Sequence, residues 1–437
     1  MNLLWSGSYV ARELPDDLPR ARAGAASAAR PAAGPARATR LLSRRGELLA
    51  VTPASGLAGR GAPRAFRPGV PALDAFPCAV WARLVTQCWR HPPHGLLGYN
   101  DPAGYRPLRE AIATYLGAAR AVHCDPAQVI VVAGSQQGLD LVARVLLDPG
   151  EAVWIEDPGY LGARGALLGA GAALAPVPVD AEGLDVAAGV ARRPDARLAY
   201  VTPSHQYPLG VMMSLARRLA LLDWAARSGA WVLEDDYDSE YRYANRPLAA
   251  LQGLDTAGCV IYLGTFSKVL SPALRLGYLV VPPALVDAMA AGRALMELGA
   301  PPVNQAVLAE FIAQGHFARH IRRMRGIYAE RQGILVDAVR QELAGRVEVR
   351  PADAGMHLIG RLVDGTDDRA AAAHASGYGI ELPPLSVYSL TQQRSDAVLL
   401  GYTAFNGQEI TRGIRTLALA LRDRGESQRG RRANAGT

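Results

Sequence analysis

Six short apolar runs recur between residues 129 and 281, and most are bounded by segments with helical spacing of apolar residues. Short continuous apolar strands that alternate with helices predict a mainly parallel sheet covered on both faces. Open sheets of this kind bind ligands at the carboxyl ends of their strands. The predicted strands are 129–132, 152–155, 198–201, 231–233, 260–263 and 278–281; the predicted helices include 102–119, 136–147 and 214–227, the last with Ser214 as its N-cap.

The chain is long enough, at 437 residues, for one large α/β domain and a smaller one. Residues 1–64 are mostly rich in Ala, Arg, Pro and Gly, which predicts a linker that buries no core. Residues 65–300 carry the alternating pattern and predict the large domain. After residue 301 a long Arg-rich helix and mixed short elements predict a small domain over 301–424, followed by a disordered tail over 425–437.

Several classes of protein receive little support. No apolar run reaches the roughly 20 residues of a membrane span, and no signal peptide is visible, so we expect a cytoplasmic protein. His316 and His320 lie four residues apart without a carboxylate to complete a set, and we expect no metal site. Much of the net charge of +7 lies in the terminal segments, where it is weak support for nucleic-acid binding.

Lys268 is the only lysine of the chain, although lysine and arginine together number 47. In a chain with so strong a preference for arginine, we expect arginine at every position where a residue serves only as a positive charge. Arginine cannot replace a lysine whose amine must lose its proton and attack a carbonyl, because guanidinium stays charged at any working pH. Lys268 is therefore a candidate Schiff-base nucleophile.

The segment around Lys268 resembles the cofactor-lysine segment of fold-type I pyridoxal-phosphate aminotransferases, through Ser267, Pro272 and the run from Arg275 to Tyr278. Four further motifs are similar to the aminotransferase-like domain of MocR-type regulators of the GntR family, and the resemblance runs from about residue 66 to about 421. It implies a seven-stranded-type sheet of the aspartate aminotransferase kind and pyridoxal 5′-phosphate held by Lys268. The motifs are Gly134-Ser135-Gln136-Gln137, Glu156-Asp157-Pro158-Gly159-Tyr160, Thr202-Pro203-Ser204-His205-Gln206 and Glu234-Asp235-Asp236-Tyr237-Asp238-Ser239-Glu240.

A phosphate site is expected where Ser135 and Gln136 start a helix after a strand, because free N–H groups and the helix dipole attract anions there. The resemblance adds Ser267 and Arg275 as phosphate ligands. It also implies that Tyr99 reaches the phosphate of a neighbouring subunit, hence a homodimer with shared active sites.

The resemblance assigns the ring contacts to other positions. Asp235 or Asp236 would pair with the protonated pyridine nitrogen; we choose Asp235, because Tyr237 then falls where a tyrosine bonds the 3′ oxygen of the ring. Tyr160 would stack on the ring. Asp238 and Glu240 fit a solvated acidic loop better.

Two departures from ordinary aminotransferases concern the substrate. The Asn-Pro-x-Gly turn is replaced by Tyr207-Pro208-Leu209-Gly210, so His205 or Gln206 must substitute for the asparagine or the contact is absent. The strand that carries the carboxylate-binding arginine reads Val398-Leu399-Leu400-Gly401-Tyr402, with no arginine, and Arg164 is a weak substitute.

Two functions remain open from the sequence. One is a transaminase in which Lys268 also moves the substrate proton; the other is the effector-sensing domain of a regulator with little or no turnover. Residues 5–10 are similar to the last strand of a winged-helix domain, which predicts a chain that begins where that domain ends. We expect a small amine or amino acid as partner and no specific DNA binding by this chain alone.

Overall fold

A central sheet of eight strands organises the chain in a computed structural model that describes residues 42–52, 64–93, 95–243, 249–297, 301–391 and 395–434 (backbone alone for 423–434). All its helices and strands belong to one unit, Arg44–Thr437. The strands are β1 Val129–Val132, β2 Ala152–Asp157, β3 Ala173–Asp180, β4 Gly183–Leu184, β5 Leu198–Val201, β6 Trp231–Asp236, β7 Val260–Thr265 and β8 Gly277–Val280.

The strand order is β1-β8-β7-β6-β5-β2-β3-β4. Strands β3, β2, β5, β6 and β7 pair in parallel, whereas β8 is antiparallel to both β7 and β1. The predicted α/β class with a mainly parallel sheet is confirmed. All six predicted strands form. Strand β3 was missed because Pro176 and Pro178 interrupt its apolar run, which is tolerated near a sheet edge. The two-residue β4 brings the count to eight instead of seven.

Helices cover both faces of this sheet. Ile130 and Val132 of β1 belong to one apolar core, and Val129 and Val131 belong to another on the opposite face. The helices are α1 Arg44–Val51, α2 Cys78–Arg90, α3 Arg106–Arg120, α4 Ser135–Leu146, α5 Leu161–Ala170, α6 Val186–Arg192, α7 Leu215–Ser228, α8 Val286–Met296, α9 Pro302–Ala313, α10 His316–Glu342, α11 Asp368–Gly377 and α12 Gly407–Asn434.

Local sequence signals explain where two of these helices begin. Ser214 accepts a hydrogen bond from the backbone N–H of Arg217 and caps α7, as predicted. Helix α3 begins four residues later than predicted, because residues 101–104 form a turn in which Gly104 N–H donates to the Asp101 carbonyl. Pro107 occupies the first turn of α3 instead of Pro102.

The C-terminal part forms an antiparallel sheet in the order β11-β10-β9, with β9 Val347–Val349, β10 His357–Leu362 and β11 Ala397–Gly401. Its core includes Phe66 and Ala72, which precede the large sheet in sequence. The boundaries 65–300 and 301–424 stay predictions. Helix α12 continues to Asn434, into the segment expected to be disordered, since its Arg-rich sequence contains no proline.

The wing-like fragment 5–10, most of the predicted linker and residues 435–437 lie outside the described residues. Within the described part of the chain, no helix combines the length and the apolar character that crossing a bilayer requires. The same residues contain no group of three or more His, Cys, Asp or Glu side chains placed to hold a metal ion.

Candidate functional site

A cavity of about 190 Å³ opens at the carboxyl ends of the central strands. Asp235 near the end of β6, Thr202 directly after β5 and Lys268 three residues after β7 all face it, so the topology brings together residues that are distant in sequence. The residues that line it are Arg67, Pro68, Gly69, Val70, Ser135, Tyr160, Tyr200, Thr202, Tyr207, Asp235, Tyr237, Lys268, Met356, His357, Glu381, Pro383 and Tyr388.

Lys268 is partly buried, and its Nζ donates a hydrogen bond of 2.7 Å to the carbonyl of Gly69. Burial lowers the pKa of its amine, and the charges of Asp238 and Asp235 oppose that shift. A lowered pKa increases the share of neutral amine, which is the nucleophilic form.

Asp235 is buried, and one of its oxygens has a protein partner. Tyr200 Oη donates to Asp235 Oδ2 at 2.8 Å, whereas Oδ1 has no hydrogen-bond partner among the described residues. Burial raises the pKa of Asp235 to about 7, against the effect of the Tyr200 hydrogen bond. The cavity therefore contains an acceptor that a ligand N–H can satisfy.

Asp236 has different surroundings. Its Oδ2 accepts hydrogen bonds from Arg120 Nε at 2.8 Å and from Tyr262 Oη at 2.6 Å, in a buried ion pair. Its Oδ1 also lacks a partner among the described residues, but Asp236 does not line the cavity. The two neighbouring carboxylates thus point to different parts of the protein, as expected for adjacent residues of a strand.

Tyr237 lines the cavity and belongs to a buried polar chain. His205 Nδ1 lies 2.9 Å from the Tyr237 hydroxyl and 3.0 Å from Asp238 Oδ2. His205 contacts Tyr237 from behind and does not itself line the cavity. The expectation of a solvated loop is wrong for Asp238, which is buried with its carboxylate against the His205 ring.

The start of α4 lies beside the cavity. Ser135 lines it, and no side chain caps this helix at Gly134. The guanidinium of Arg275 lies close to Gly134. A Cβ added to this glycine would be 3.5 Å from the guanidinium atoms. Gln136 turns away and donates to the Gly162 carbonyl; with Arg275 it lines a neighbouring, more open depression. Ser267 donates its backbone N–H to Thr265 Oγ1 and does not line the cavity.

Four tyrosines form an aromatic wall, which we define as Tyr160, Tyr207, Tyr237 and Tyr388. Tyr207 is at its centre: its ring meets each of the other three edge-on, at centroid distances of 5.4–5.8 Å. The Tyr207 and Tyr388 hydroxyls are 3.3 Å apart. Burial raises the pKa of the Tyr207 phenol well above its ordinary value, so it stays neutral.

This geometry and the sequence agree with known proteins. The profile of the family described as aminotransferase class I and II matches residues 69–393. The chain belongs to this family.

Its relatives include both regulators and enzymes. The chain is 43% identical to the probable rhizopine catabolism regulatory protein MocR of Rhizobium meliloti, over 95% of this chain and 82% of the relative. It is 31% identical to 2-aminoadipate transaminase of Thermus thermophilus, over 82% of this chain and 89% of that enzyme. A structure of alpha-aminoadipate aminotransferase from Thermus thermophilus, complexed with N-(5′-phosphopyridoxyl)-L-leucine, matches with a TM-score of 0.76 and 30% identity, covering 82% and 92% of the two chains. The protein is thus an aminotransferase-like domain, related both to a MocR-type regulator and to aminotransferases.

The structure locates the residues of the turn that departs from ordinary aminotransferases. Neither His205 nor Gln206 lines the cavity. The Gln206 side-chain amide instead donates to oxygens of Glu156, Pro158 and Tyr207. Tyr207 itself faces the cavity from the turn that carries an asparagine in ordinary aminotransferases. Sequence reasoning recorded this turn and overlooked its first residue.

Two charged residues of the cavity were also missed. Arg67 Nε donates to Glu381 Oε2 at 2.6 Å, across 314 residues of sequence. Arg67 precedes the large sheet and Glu381 precedes β11, so no local pattern connects them. By contrast, the Tyr200 contact with Asp235 was accessible to sequence reasoning, since Tyr200 lies in one predicted strand and Asp235 lies two residues after another.

Two further predicted residues lie outside the cavity. Tyr99 is 93% exposed, so its side chain makes little contact with its own chain. Arg164 lies on α5 and does not line the cavity. In this single chain, neither residue belongs to the lining of the cavity that contains Lys268.

Proposed function

We propose that this domain binds pyridoxal 5′-phosphate through Lys268 and acts on or senses an amino compound. One observation carries the proposal: a single cavity contains the only lysine of the chain and a buried carboxylate, Asp235, whose Oδ1 has no partner among the described residues. A protonated pyridine nitrogen is the donor that this oxygen suits. The residues present therefore fit the cofactor.

The cofactor supplies an aldehyde that condenses with amines and a ring that withdraws electrons from the carbon beside the amine. Lys268 would anchor it and exchange a proton with that carbon. Asp235 would hold the ring nitrogen in its protonated form, through a charged hydrogen bond worth roughly 1.5–3 kcal/mol. Tyr237 would bond the ring oxygen, backed by the neighbouring His205. Tyr160 would pack on the ring face.

The phosphate would lie at the start of α4. The free end of this helix and the guanidinium of Arg275 provide positive charge on the same side of the cavity. We assign Ser135, Gln136 and Ser267 to the same phosphate site. Gln136 would contribute through its backbone N–H, because its side chain already bonds the Gly162 carbonyl. Ser267 would contribute through its hydroxyl, because its backbone N–H already donates to Thr265 Oγ1.

A second candidate is an effector-sensing domain of a transcriptional regulator with little or no turnover. The relative with 43% identity is a regulatory protein. The described lining of the cavity also lacks an arginine on β11, where aminotransferases grip the substrate carboxylate. A site that keeps its cofactor residues and changes its substrate residues suits ligand detection as well as catalysis.

The proposed partners are a small-molecule amine or amino acid and a second copy of this chain, with Tyr99 directed at the partner's phosphate site. Its 93% exposure is compatible with a role across an interface. We also propose a cytoplasmic location, in keeping with relatives that are named as a regulatory protein and as a transaminase. Sequence-specific DNA binding is not part of the function proposed for this chain alone.

The covalent anchor can be tested directly. The purified chain, incubated with pyridoxal phosphate and reduced with borohydride, should carry one pyridoxyl group on the peptide that contains Lys268, seen by mass spectrometry. Lys268→Arg keeps the positive charge but cannot condense, so it should carry none. An adduct on any other side chain of the wild-type chain would end this proposal.

Turnover separates the two candidate functions. The cofactor-loaded protein would be mixed with a panel of amines and amino acids, and the visible absorption band and carbonyl products would be followed together. Rapid release of a carbonyl product supports an enzyme. A change of the band without product release supports a sensor.

A further inference from the structure

The charges that line the cavity limit the ligands it accepts. Among the described lining residues, Arg67 and Lys268 are the cationic side chains, and Asp235 and Glu381 are the anionic ones. His357 is neutral at pH 7, because burial and the nearby His205 lower its pKa to about 4. Lys268 and Asp235 are committed to the cofactor in the proposed function. Arg67 and Glu381 are therefore the charges that remain for the substrate.

Arg67 is already neutralised. Its Nε donates to Glu381 Oε2 at 2.6 Å, and both side chains are largely shielded from solvent, with 14% and 27% exposure. A carboxylate that approached the guanidinium would meet the negative charge of Glu381 on the same group. Like charges repel most strongly where water is partly excluded. Arg67 is therefore a poor carboxylate receptor while Glu381 is present.

The strand that carries the carboxylate arginine in aminotransferases is apolar here. Leu399 of β11 is fully buried, and its side chain packs with Leu161 and Tyr388. Tyr388 and Tyr207 belong to the aromatic wall that lines the cavity, and both pack with the cluster that contains Leu399. The phenols of this wall offer hydrogen bonds and apolar surface without charge.

We propose that the ligand of this site is a primary amine without a carboxylate, and that Glu381 is the residue that rejects α-amino acids. The inference rests on the proposed cofactor function and gives it a substrate class. The amine nitrogen would reach the cofactor beside Lys268. The rest of the molecule would contact the aromatic wall, and any hydroxyl or second ammonium group could donate to Glu381.

Matched pairs of ligands that differ only in the carboxylate test the proposal. Tyramine would be compared with tyrosine, ethanolamine with serine, and 1,4-diaminobutane with ornithine, by calorimetry and by thermal stabilisation of the cofactor-loaded chain. Each amine should bind at least about tenfold more tightly than its amino acid. Equal affinities, or tighter binding of the amino acids, would overturn the proposal.

Glu381→Gln removes the repelling charge beside Arg67, so the difference in affinity between the members of each pair should shrink about tenfold. Glu182→Gln is the control, since Glu182 lies 3.8 Å from Arg217, is exposed and does not line the cavity. An unchanged difference in Glu381→Gln would remove Glu381 from its assigned role. A chain that takes no cofactor on Lys268 would overturn both proposals, and borohydride reduction detects that before any amine is added.

Discussion

Asp235 and Asp236 show how neighbours decide the role of identical residues. Asp236 forms a buried ion pair with Arg120 and accepts from Tyr262, so it belongs to the internal structure. Asp235 lines the cavity and accepts a hydrogen bond from Tyr200, and its other oxygen has no partner among the described residues. The sequence shows two adjacent aspartates after an apolar strand; the preference for Asp235 came from a family resemblance. Arg120 lies 116 residues away from Asp236, and no sequence pattern reveals that pair.

The two aspartates should affect stability in opposite directions. The pKa of Asp235 is raised to about 7 in the folded chain, from 3.8 for an unperturbed aspartate. Because the pKa is higher in the folded chain, protonation of Asp235 favours folding. This contribution to the free energy of unfolding is at most on the order of 4 kcal/mol; it is complete below about pH 4 and is lost as the pH rises through about 7. Asp235→Asn should therefore stabilise the cofactor-free chain at pH 8 relative to wild type, and much less at pH 5.

Asp236→Asn should instead cost about 3–5 kcal/mol, because it leaves the buried Arg120 without its charge partner. Urea unfolding of both variants at pH 5 and pH 8 gives the comparison. Destabilisation of similar size in both variants at pH 8 would show that Asp235 is also a structural residue.

At the scale of elements, the strands were predictable, whereas the contribution of residues 67–70 to the cavity was not. Continuous apolar runs located the six strands, and Asp235 and Lys268 follow two of these runs, at the strand ends where such sheets bind ligands. Residues 67–70 also line the cavity, although sequence patterns place them at the edge of a linker. Their contacts lie up to 333 residues away: Thr403 Oγ1 donates to the Val70 carbonyl, and Lys268 donates to Gly69. Long-range contacts of this kind leave no local signal.

Gly69 should be the sensitive position of that segment. It has a φ of +71°, and a Cβ on it would lie 2.8 Å from Lys268 Nζ. Gly69→Ala should therefore cost roughly 1–2 kcal/mol of backbone strain and also displace the lysine amine. Gly95→Ala is the control, because Gly95 has a φ of +83° and no atom within 4 Å of the added Cβ.

Chemical denaturation should show similar losses for both glycine variants. The rate at which pyridoxal phosphate reacts with Lys268, followed by the growth of the visible band, should change in Gly69→Ala alone. Equal reaction rates in the two variants would mean that Gly69 does not position the amine.

At the scale of the whole molecule, the fold class followed from the order of strands and helices, whereas the substrate half of the cavity did not. Arg67 lies 314 residues before Glu381, which shares a segment with Tyr388, and the fold brings all three to one cavity. The sequence did indicate that something was missing, since β11 lacks the expected arginine. The sequence could not indicate that the Arg67–Glu381 ion pair and the aromatic wall line the substrate half of the cavity.

The proposed homodimer with shared sites makes a prediction about mixed subunits. Tyr99 is 93% exposed and contacts no part of the cavity of its own chain. If its hydroxyl bonds the phosphate of the partner's site, Tyr99→Phe should weaken cofactor binding about tenfold or more, as for a hydrogen bond to a charged group. Lys268→Ala removes the anchor from its own subunit.

Each variant alone should lose cofactor on dialysis. After the two are unfolded together and refolded in equal amounts, half of the dimers should be mixed, and each should hold one site with both Lys268 and Tyr99. About a quarter of all sites should then retain cofactor as tightly as wild type. Tyr378→Phe is the control, a substitution at a less exposed tyrosine that does not line the cavity, and it should retain cofactor without mixing. If the mixture retains no more cofactor than its components, the site is complete within one chain, and the exposure of Tyr99 has another cause.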